Sequence, residues 1–171
     1  MPKIILIQGS LRERSHTAFI IQAAAAHLKR LKISCEIIDL RSTPQPFCDG
    51  REMHLYPEPI RALHERLRKA KAFIFGMPVY CQSVSGPLKN FIDIHSRAFD
   101  EKLAGIISVA GSEKSYLASS DLQHILSYES SCEVVHPIVF ASRTDFMGDH
   151  LDSKKPKQKL KEMVEELSKR V

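Results

Sequence analysis

Five short apolar segments alternate with five segments of helical periodicity along the chain, and this alternation constrains the fold more than any other feature. Nearly continuous apolar runs are typical of strands buried on both faces of a parallel sheet, and such a sheet needs helices to cover it. The pattern therefore predicts an α/β three-layer sandwich with a five-stranded parallel sheet between two helix layers. The predicted strands are residues 3–8, 34–40, 72–76, 103–110 and 133–140, and the predicted helices are residues 17–31, 59–71, 85–97, 116–127 and 154–170.

Right-handed crossovers leave few possible strand orders, and among them we predict the flavodoxin-like order 2-1-3-4-5. In this order the carboxyl ends of strands one and three are neighbours at the switch point, where such sheets bind ligands. The two most distinctive segments, residues 9–17 and 77–93, directly follow these two strands. We therefore expect both segments to contribute to one ligand site.

Length and composition are those of an ordinary globular domain, and we expect residues 1–171 to form one domain. The formal charge of +5 owes much to five lysines within residues 154–161, a run typical of a solvated helix face, so binding to nucleic acid or a membrane is not expected. The four cysteines have no CxxC spacing, which favours reduced thiols. Without a signal-peptide pattern or a run of about 20 apolar residues, the chain is expected to be cytoplasmic.

The segment after the first strand has the composition of a phosphate-binding loop. Gly9 permits a tight exit from the strand, and Ser10, Ser15 and Thr17 supply hydroxyl groups beside the start of a helix. Arg12 adds a guanidinium able to make a forked contact with an anion. The segment lacks both the GxxxxGK[ST] and the GxGxxG patterns, which argues against a nucleoside-triphosphate or ordinary dinucleotide site. The alternative is a polar turn in which Ser15 only caps the helix.

Together the two segments carry a family resemblance. Gly9-Ser-x-Arg-x-x-Ser-x-Thr17, followed by Pro78-Val-Tyr-x-x-Ser-Val-Ser-Gly-Pro-Leu-Lys-Asn-Phe-Ile-Asp93, resembles the NADPH-dependent FMN reductase family. That family includes flavodoxin-like quinone, azo-dye and chromate reductases. The similarity covers most of residues 3–111, including the loop from Asp39 to Asp49.

The resemblance implies roles for individual residues. The FMN phosphate would be held by Ser10, Arg12, Ser15, His16 and Thr17. The isoalloxazine ring would be lined by Pro78, Val79, Tyr80, Cys81 and Ser83, with Gly111 and Ser112 approaching its pyrimidine side. Relatives often have Asn or His in place of Cys81, and more glycine where Glu113 and Lys114 stand here.

By the same resemblance the chain is expected to be an FMN-dependent NAD(P)H oxidoreductase. Hydride would pass from NADPH to bound FMN and then, in a ping-pong cycle, to a quinone, azo compound, metal oxyanion or free flavin. This chemistry needs no catalytic side chain, and none is predicted; without HExxH or a close histidine pair, no metal site is predicted either. A homodimer or homotetramer is expected.

Several alternatives stay open on the sequence. The chain could instead be a flavodoxin-type electron carrier, or a non-catalytic flavin-binding redox sensor that uses Cys81. Tyr80 could be a packing or subunit-contact residue, and Lys89 and Asp93 are expected to pair on a helix surface. The 2′-phosphate of NADPH has three candidate partners, Arg14, Arg51 and Lys114, and the long loop 41–58, in which no regular core element is expected, could cover the flavin.

Overall fold

A parallel β-sheet forms the centre of the structure, a computed structural model that describes residues 2–171. Its strands lie in the order β2-β1-β3-β5, and β6 and β7 both pair with the outer side of β5. The predicted flavodoxin-like order is therefore confirmed. The strands are β1 (Ile4–Gln8), β2 (Cys35–Asp39), β3 (Ala72–Tyr80), β4 (Ser83–Val84), β5 (Leu103–Ala110), β6 (Glu133–Val134), β7 (Val139–Ser142), β8 (Phe146–Met147) and β9 (His150–Leu151). The α-helices are α1 (His16–Arg30), α2 (Glu58–Arg68), α3 (Gly86–His95), α4 (Ala118–Glu129) and α5 (Lys154–Lys169).

Successive side chains of a strand point to opposite faces of the sheet, and each set packs against one helix layer. On β1, Ile5 and Ile7 pack in the cluster formed with α2, α3 and α4, whereas Ile4 and Leu6 pack in the cluster formed with α1 and α5. All four side chains are fully buried. Burying an aliphatic side chain of this size stabilises a fold by about 2 kcal/mol, and β1 therefore helps to hold both helix layers on the sheet.

Strand β3 is longer than predicted. It was expected to end at Gly76, yet it continues to Tyr80 and still pairs with β5 at Pro78, which has no N–H to donate. β1 ends at Gln8, opposite Gly76. Beyond Gly76 the strand therefore no longer has β1 as a neighbour, and proline is tolerated where a strand is paired on one side only.

The other element bounds differ less from the prediction. The five predicted helices are all present, with ends shifted by three residues or fewer. The predicted fifth strand, residues 133–140, is two short strands, β6 and β7, that each pair with β5. Pro137 lies between them and cannot donate a ladder hydrogen bond.

A close approach of two glycines holds the end of β1 against the middle of β3. The Gly9 N–H donates to the carbonyl oxygen of Gly76 at 2.9 Å. A Cβ atom at Gly9 would lie 2.7 Å from that oxygen, closer than real side chains come to backbone. The absence of a side chain at Gly9 therefore lets the loop after β1 run directly beside β3 at Gly76.

Helix α3 anchors the long loop between β2 and α2. This loop contains only one 3-10 turn, Met53–Leu55, in agreement with the expectation that it has no regular core element. The Asn90 side chain accepts from the Cys48 N–H and donates to the Pro46 oxygen, both at 2.8 Å. Its neighbours Lys89 and Asp93 form the expected surface ion pair at 2.5 Å.

Two buried histidines lie beneath the same loop. The Nδ1 atoms of His64 and His95 are 3.3 Å apart, and His95 Nε2 is 3.1 Å from the side-chain oxygen of Gln45. Burial, and then the nearby His64, lower the pKa of His95 to about 3. Burial also lowers the pKa of His64. The folded protein therefore keeps His95 neutral well below the pH at which an exposed histidine takes up a proton.

This histidine makes the stability of the fold depend on pH. In the unfolded chain His95 titrates near its usual pKa of about 6.5, whereas in the folded protein it titrates near 3. The unfolded state therefore binds more protons between these values, and stability falls as the pH falls from about 6.5 towards 3. At pH 5 the loss amounts to about 2 kcal/mol.

Denaturant unfolding at pH 7 and pH 5 measures this loss. His95→Gln is expected to flatten the pH dependence, whatever its effect on stability at pH 7. His54→Gln changes an exposed histidine and is expected to keep the wild-type difference. An unchanged pH dependence in His95→Gln would show that other groups are responsible.

Candidate functional site

The carboxyl ends of the central strands enclose a crevice of about 340 Å³. This volume lies at the small end of the range found for small-molecule sites. Residues at or directly after the carboxyl ends of β1, β3, β5 and β7 all line it. Its lining residues are Ser10, Arg12, Arg14, Ser15, His16, Thr17, Pro78, Val79, Tyr80, Val109, Ala110, Gly111 and Arg143. The two segments singled out in the sequence therefore meet in one place.

One end of the crevice is the amino terminus of α1. The side chains of Ser10, Ser15 and Thr17 lie here and are almost completely buried. The first turn of α1 contains no acidic residue, so the positive end of its dipole is not neutralised. Ser15 also accepts a hydrogen bond from the Ala18 N–H at 3.3 Å. Ser15 therefore caps α1 and also lines the crevice.

Three arginines give the crevice a positive charge. Arg14 forms an ion pair with Asp149 at 3.1 Å. Arg12 and Arg143, by contrast, form no ion pair with any residue in the described part of the chain, 2–171. Two uncompensated guanidinium groups beside buried hydroxyls and a helix amino terminus are the donors that a phosphate monoester requires.

The other end of the crevice is a tight β-hairpin. β3 and β4 pair antiparallel, with Tyr80 opposite Ser83, and the connecting turn consists of Cys81 and Gln82. Both turn residues have positive φ angles, 49° and 63°, as a type I′ turn requires. The hairpin holds Tyr80, which is 45% exposed, at the edge of the crevice.

Most of the predicted site residues line this crevice. The exceptions are Cys81 and Ser83, which lie in the hairpin turn and on β4, and Ser112, whose hydroxyl accepts from the Lys114 N–H. The His16 ring faces the crevice but also stacks on Phe146, with ring centroids 4.1 Å apart and planes inclined by 4°.

Of the three candidate partners for the NADPH 2′-phosphate, only Arg14 lines the crevice. Arg51 is paired with Asp49 in the long loop, with its guanidinium 5.3 Å from the Tyr56 ring centroid. Lys114 lies in the turn after β5, outside the crevice.

Sequence reasoning missed Arg143. The fifth strand was predicted to end at residue 140, and the segment after it was not considered as part of the site. Arg143 in fact follows β7 directly, at the same sheet edge as the other loops. An arginine immediately after the carboxyl end of a parallel strand is the signal that could have identified it.

Comparison with known proteins assigns the family. The model of the family described as NADPH-dependent FMN reductase matches residues 2–147. The chain belongs to this family. It is thereby an oxidoreductase of the flavoprotein class that uses FMN and a nicotinamide coenzyme, and the predicted family, enzyme class and cofactors are confirmed.

Curated relatives of this FMN reductase family member are distant. The NAD(P)H-dependent FAD/FMN reductase of Geobacillus thermodenitrificans is 28% identical over 74% of this chain and 70% of its own length. The FMN-dependent NADPH-azoreductase of Staphylococcus saprophyticus is 29% identical over 84% and 79%. The NAD(P)H:quinone oxidoreductase of Solanum tuberosum is 32% identical over 64% of this chain, and the match spans only 59% of that relative.

Solved structures with the same fold are more distant still in sequence. The apo form of the NADH:FMN oxidoreductase EMOB superposes with a TM-score of 0.81 at 22% identity, covering 100% of this chain and 90% of the other. An archaeal flavodoxin superposes with a TM-score of 0.67 at 14% identity, covering 99% and 98%. These likenesses establish the flavodoxin-like fold.

Two features, a cluster of metal ligands and a membrane-spanning helix, are absent from the described residues. Between residues 2 and 171 no three His, Cys, Asp or Glu side chains are arranged to hold a metal ion. Over the same range no helix has the length and apolar character needed to cross a membrane.

Proposed function

We propose that this family member is an FMN-dependent NAD(P)H oxidoreductase whose crevice holds the FMN phosphate at residues 10–17 and the flavin ring beside the β3–β4 hairpin. The observation that carries the proposal is the convergence of these two segments in one crevice at the sheet's switch point. Neither segment alone distinguishes a flavin from another phosphate ester. An anion-binding end and a flat aromatic-edged end within one crevice match a mononucleotide.

The chain's own residues bind and orient the cofactor. The N–H groups at the amino terminus of α1 and the hydroxyls of Ser15 and Thr17 donate hydrogen bonds to the phosphate, while the guanidinium of Arg12 neutralises part of its charge. Pro78 and Val79 border the ring, and Gly111 adds no side chain to its surroundings. FMN, when bound, supplies the ring that takes a hydride from the coenzyme and passes reducing equivalents to an acceptor.

The finer features of the activity are part of the same proposal. We expect NADPH to be the coenzyme, with Arg14 as the candidate contact to its 2′-phosphate because it is the only one of the three candidates in the crevice. The acceptor would be a small quinone, azo compound, metal oxyanion or free flavin, reduced in a ping-pong cycle. No protein side chain is assigned a catalytic proton transfer. We further propose a cytoplasmic homodimer or homotetramer.

An absorption spectrum followed by coenzyme titration tests the proposal. Purified protein, reconstituted with FMN, is expected to show a flavin spectrum that NADPH bleaches and that a quinone restores. Initial rates at varied NADPH and quinone concentrations should give the parallel double-reciprocal lines of a ping-pong cycle. A protein that takes up no flavin would contradict the proposal. Bound FMN that NADPH and NADH both fail to reduce would favour the carrier or sensor alternatives.

A further inference from the structure

A chain of polar contacts lies behind the phosphate-binding loop and starts at the last residue of β1. Gln8 is 1% exposed, and its side-chain oxygen accepts from the Ser10 N–H at 2.5 Å. Its side-chain nitrogen donates to the Ser10 oxygen at 2.8 Å. Both main-chain groups of Ser10 are therefore fixed by one amide.

Asp39 sets the orientation of that amide. The register of β1 and β2 places Asp39 directly beside Gln8. An ionised carboxylate can only accept hydrogen bonds, so it requires the NH₂ group of Gln8, which donates to Asp39 at 3.0 Å. The Gln8 oxygen must then face the Ser10 N–H. Burial raises the pKa of Asp39, but hydrogen bonds from Arg41 outweigh burial and lower it overall, so the carboxylate stays ionised.

Arg41 connects this carboxylate to the loop itself. Its Nε atom lies 3.0 Å from both oxygens of Asp39, and Nη2 completes a forked ion pair. The remaining nitrogen, Nη1, donates to the main-chain oxygen of Glu13 at 2.8 Å and to that of Arg12 at 3.4 Å. One guanidinium thus fixes the carboxylate and two consecutive carbonyl groups of the loop.

We propose that Arg41 is a positioning residue that, with Asp39 and Gln8, holds residues 10–13 in the conformation that binds the cofactor phosphate. The inference rests on the proposed function, because it concerns the same crevice. Arg41 does not line that crevice and acts only through the loop. A loop that is already ordered loses less conformational entropy when the ligand binds, and the ligand therefore binds more tightly.

The geometry requires arginine rather than any positive charge. A lysine ammonium is a single point donor and cannot fork onto Asp39 while also reaching two carbonyl oxygens. Arg41→Lys therefore keeps the net charge and the long-range attraction for an anion but loses the bridge to the loop. A change in FMN affinity in this variant would therefore report the loss of loop positioning and not a loss of positive charge.

The chain contains a matched control. Arg51 pairs with Asp49 through the same two-residue spacing and the same forked contact as Arg41 with Asp39. Its guanidinium lies over the Tyr56 ring in the long loop and donates to Asp49 but to no group of residues 10–15 within the described chain. Arg51→Lys thus makes the same chemical change away from the phosphate loop.

Binding of FMN is compared with binding of riboflavin, which lacks the phosphate, by quenching of flavin fluorescence. Wild-type protein should bind FMN more tightly than riboflavin. Arg41→Lys is expected to weaken FMN binding about tenfold, equivalent to one charge-assisted hydrogen bond, and to leave riboflavin binding within about twofold of wild type. Arg51→Lys should leave both constants unchanged.

The possible outcomes separate this inference from the proposed function. If Arg41→Lys weakens both ligands equally, or neither, the positioning role is refuted while flavin binding stands. Equal wild-type affinities for FMN and riboflavin would also refute the positioning role, since the phosphate would then contribute nothing to binding. Wild-type protein that binds neither ligand would refute the proposed function. If Arg41→Lys does not fold, Asp39→Asn, with Asp49→Asn as its control, gives the same comparison.

Discussion

Replacing Gly9 by alanine is expected to destabilise the protein by about 2 kcal/mol and to weaken FMN binding by more than about tenfold. The added Cβ would lie 2.7 Å from the Gly76 oxygen, and a backbone oxygen cannot rotate away as a side chain can. The end of β1 must therefore move away from β3 at Gly76, which lengthens the 2.9 Å hydrogen bond between them. Since the segment proposed to bind the phosphate starts at the end of β1, and the residues proposed to border the ring follow Gly76, the crevice would widen as the fold weakens.

Denaturant unfolding and flavin titration of the same preparation measure the two effects. Gly86→Ala is the matched control, because a Cβ atom at Gly86 meets nothing within 4 Å. It is expected to keep wild-type stability and affinity. Wild-type stability and FMN affinity in Gly9→Ala would show that neither property depends on the close contact between Gly9 and Gly76.

Replacing Arg12 by methionine is expected to weaken FMN binding by about 10- to 100-fold with little change in stability. Arg12 lines the anion-binding end of the crevice and has no ion pair among residues 2–171, so its loss leaves no buried charge behind. A direct guanidinium–phosphate contact is worth more than a neutral hydrogen bond. The loss should be smaller for riboflavin, which has no phosphate.

Arg30→Met controls for the change in net charge. Arg30 is the last residue of α1, 15 residues long, and so lies about 20 Å from the crevice. Beyond a Debye length, its contribution is largely screened at physiological salt. Isothermal titration with FMN at two salt concentrations compares the variants. Equal losses in Arg12→Met and Arg30→Met would mean that overall charge, and not a direct contact, attracts the cofactor.

The fold was predictable because the spacing of apolar residues along the sequence indicates which faces of each strand and helix are buried. The continuous apolar run of β1 is buried on both faces, as such a run predicts, and the order of the strands follows from the alternation with helices. The end of β3 was not predictable in the same way. Whether Pro78 ends a strand depends on whether a neighbour needs its N–H, and the neighbour β1 had already ended.

The site was predictable in outline for a similar reason. Loops that follow neighbouring parallel strands must meet at one sheet edge, which is why the Ser10 and Tyr80 segments converge. Arg143 and the Gln8–Asp39–Arg41 contacts were missed. The three-residue contacts depend on strand register and on which side-chain atoms face each other, and neither has a local signature in the sequence. Arg143 was missed because the fifth strand was predicted to end at residue 140, whereas β7 ends at Ser142.

The pairing of Gln8 with Asp39 ties cofactor capture to correct folding. A slip of β2 by one residue would move Asp39 to the opposite face of the sheet. The Gln8 amide would lose the partner that orients it, and the loop beyond would lose its anchor. A sheet with this register error would then lack the loop conformation proposed to bind the cofactor phosphate, and we expect it to bind FMN more weakly than the correctly paired sheet.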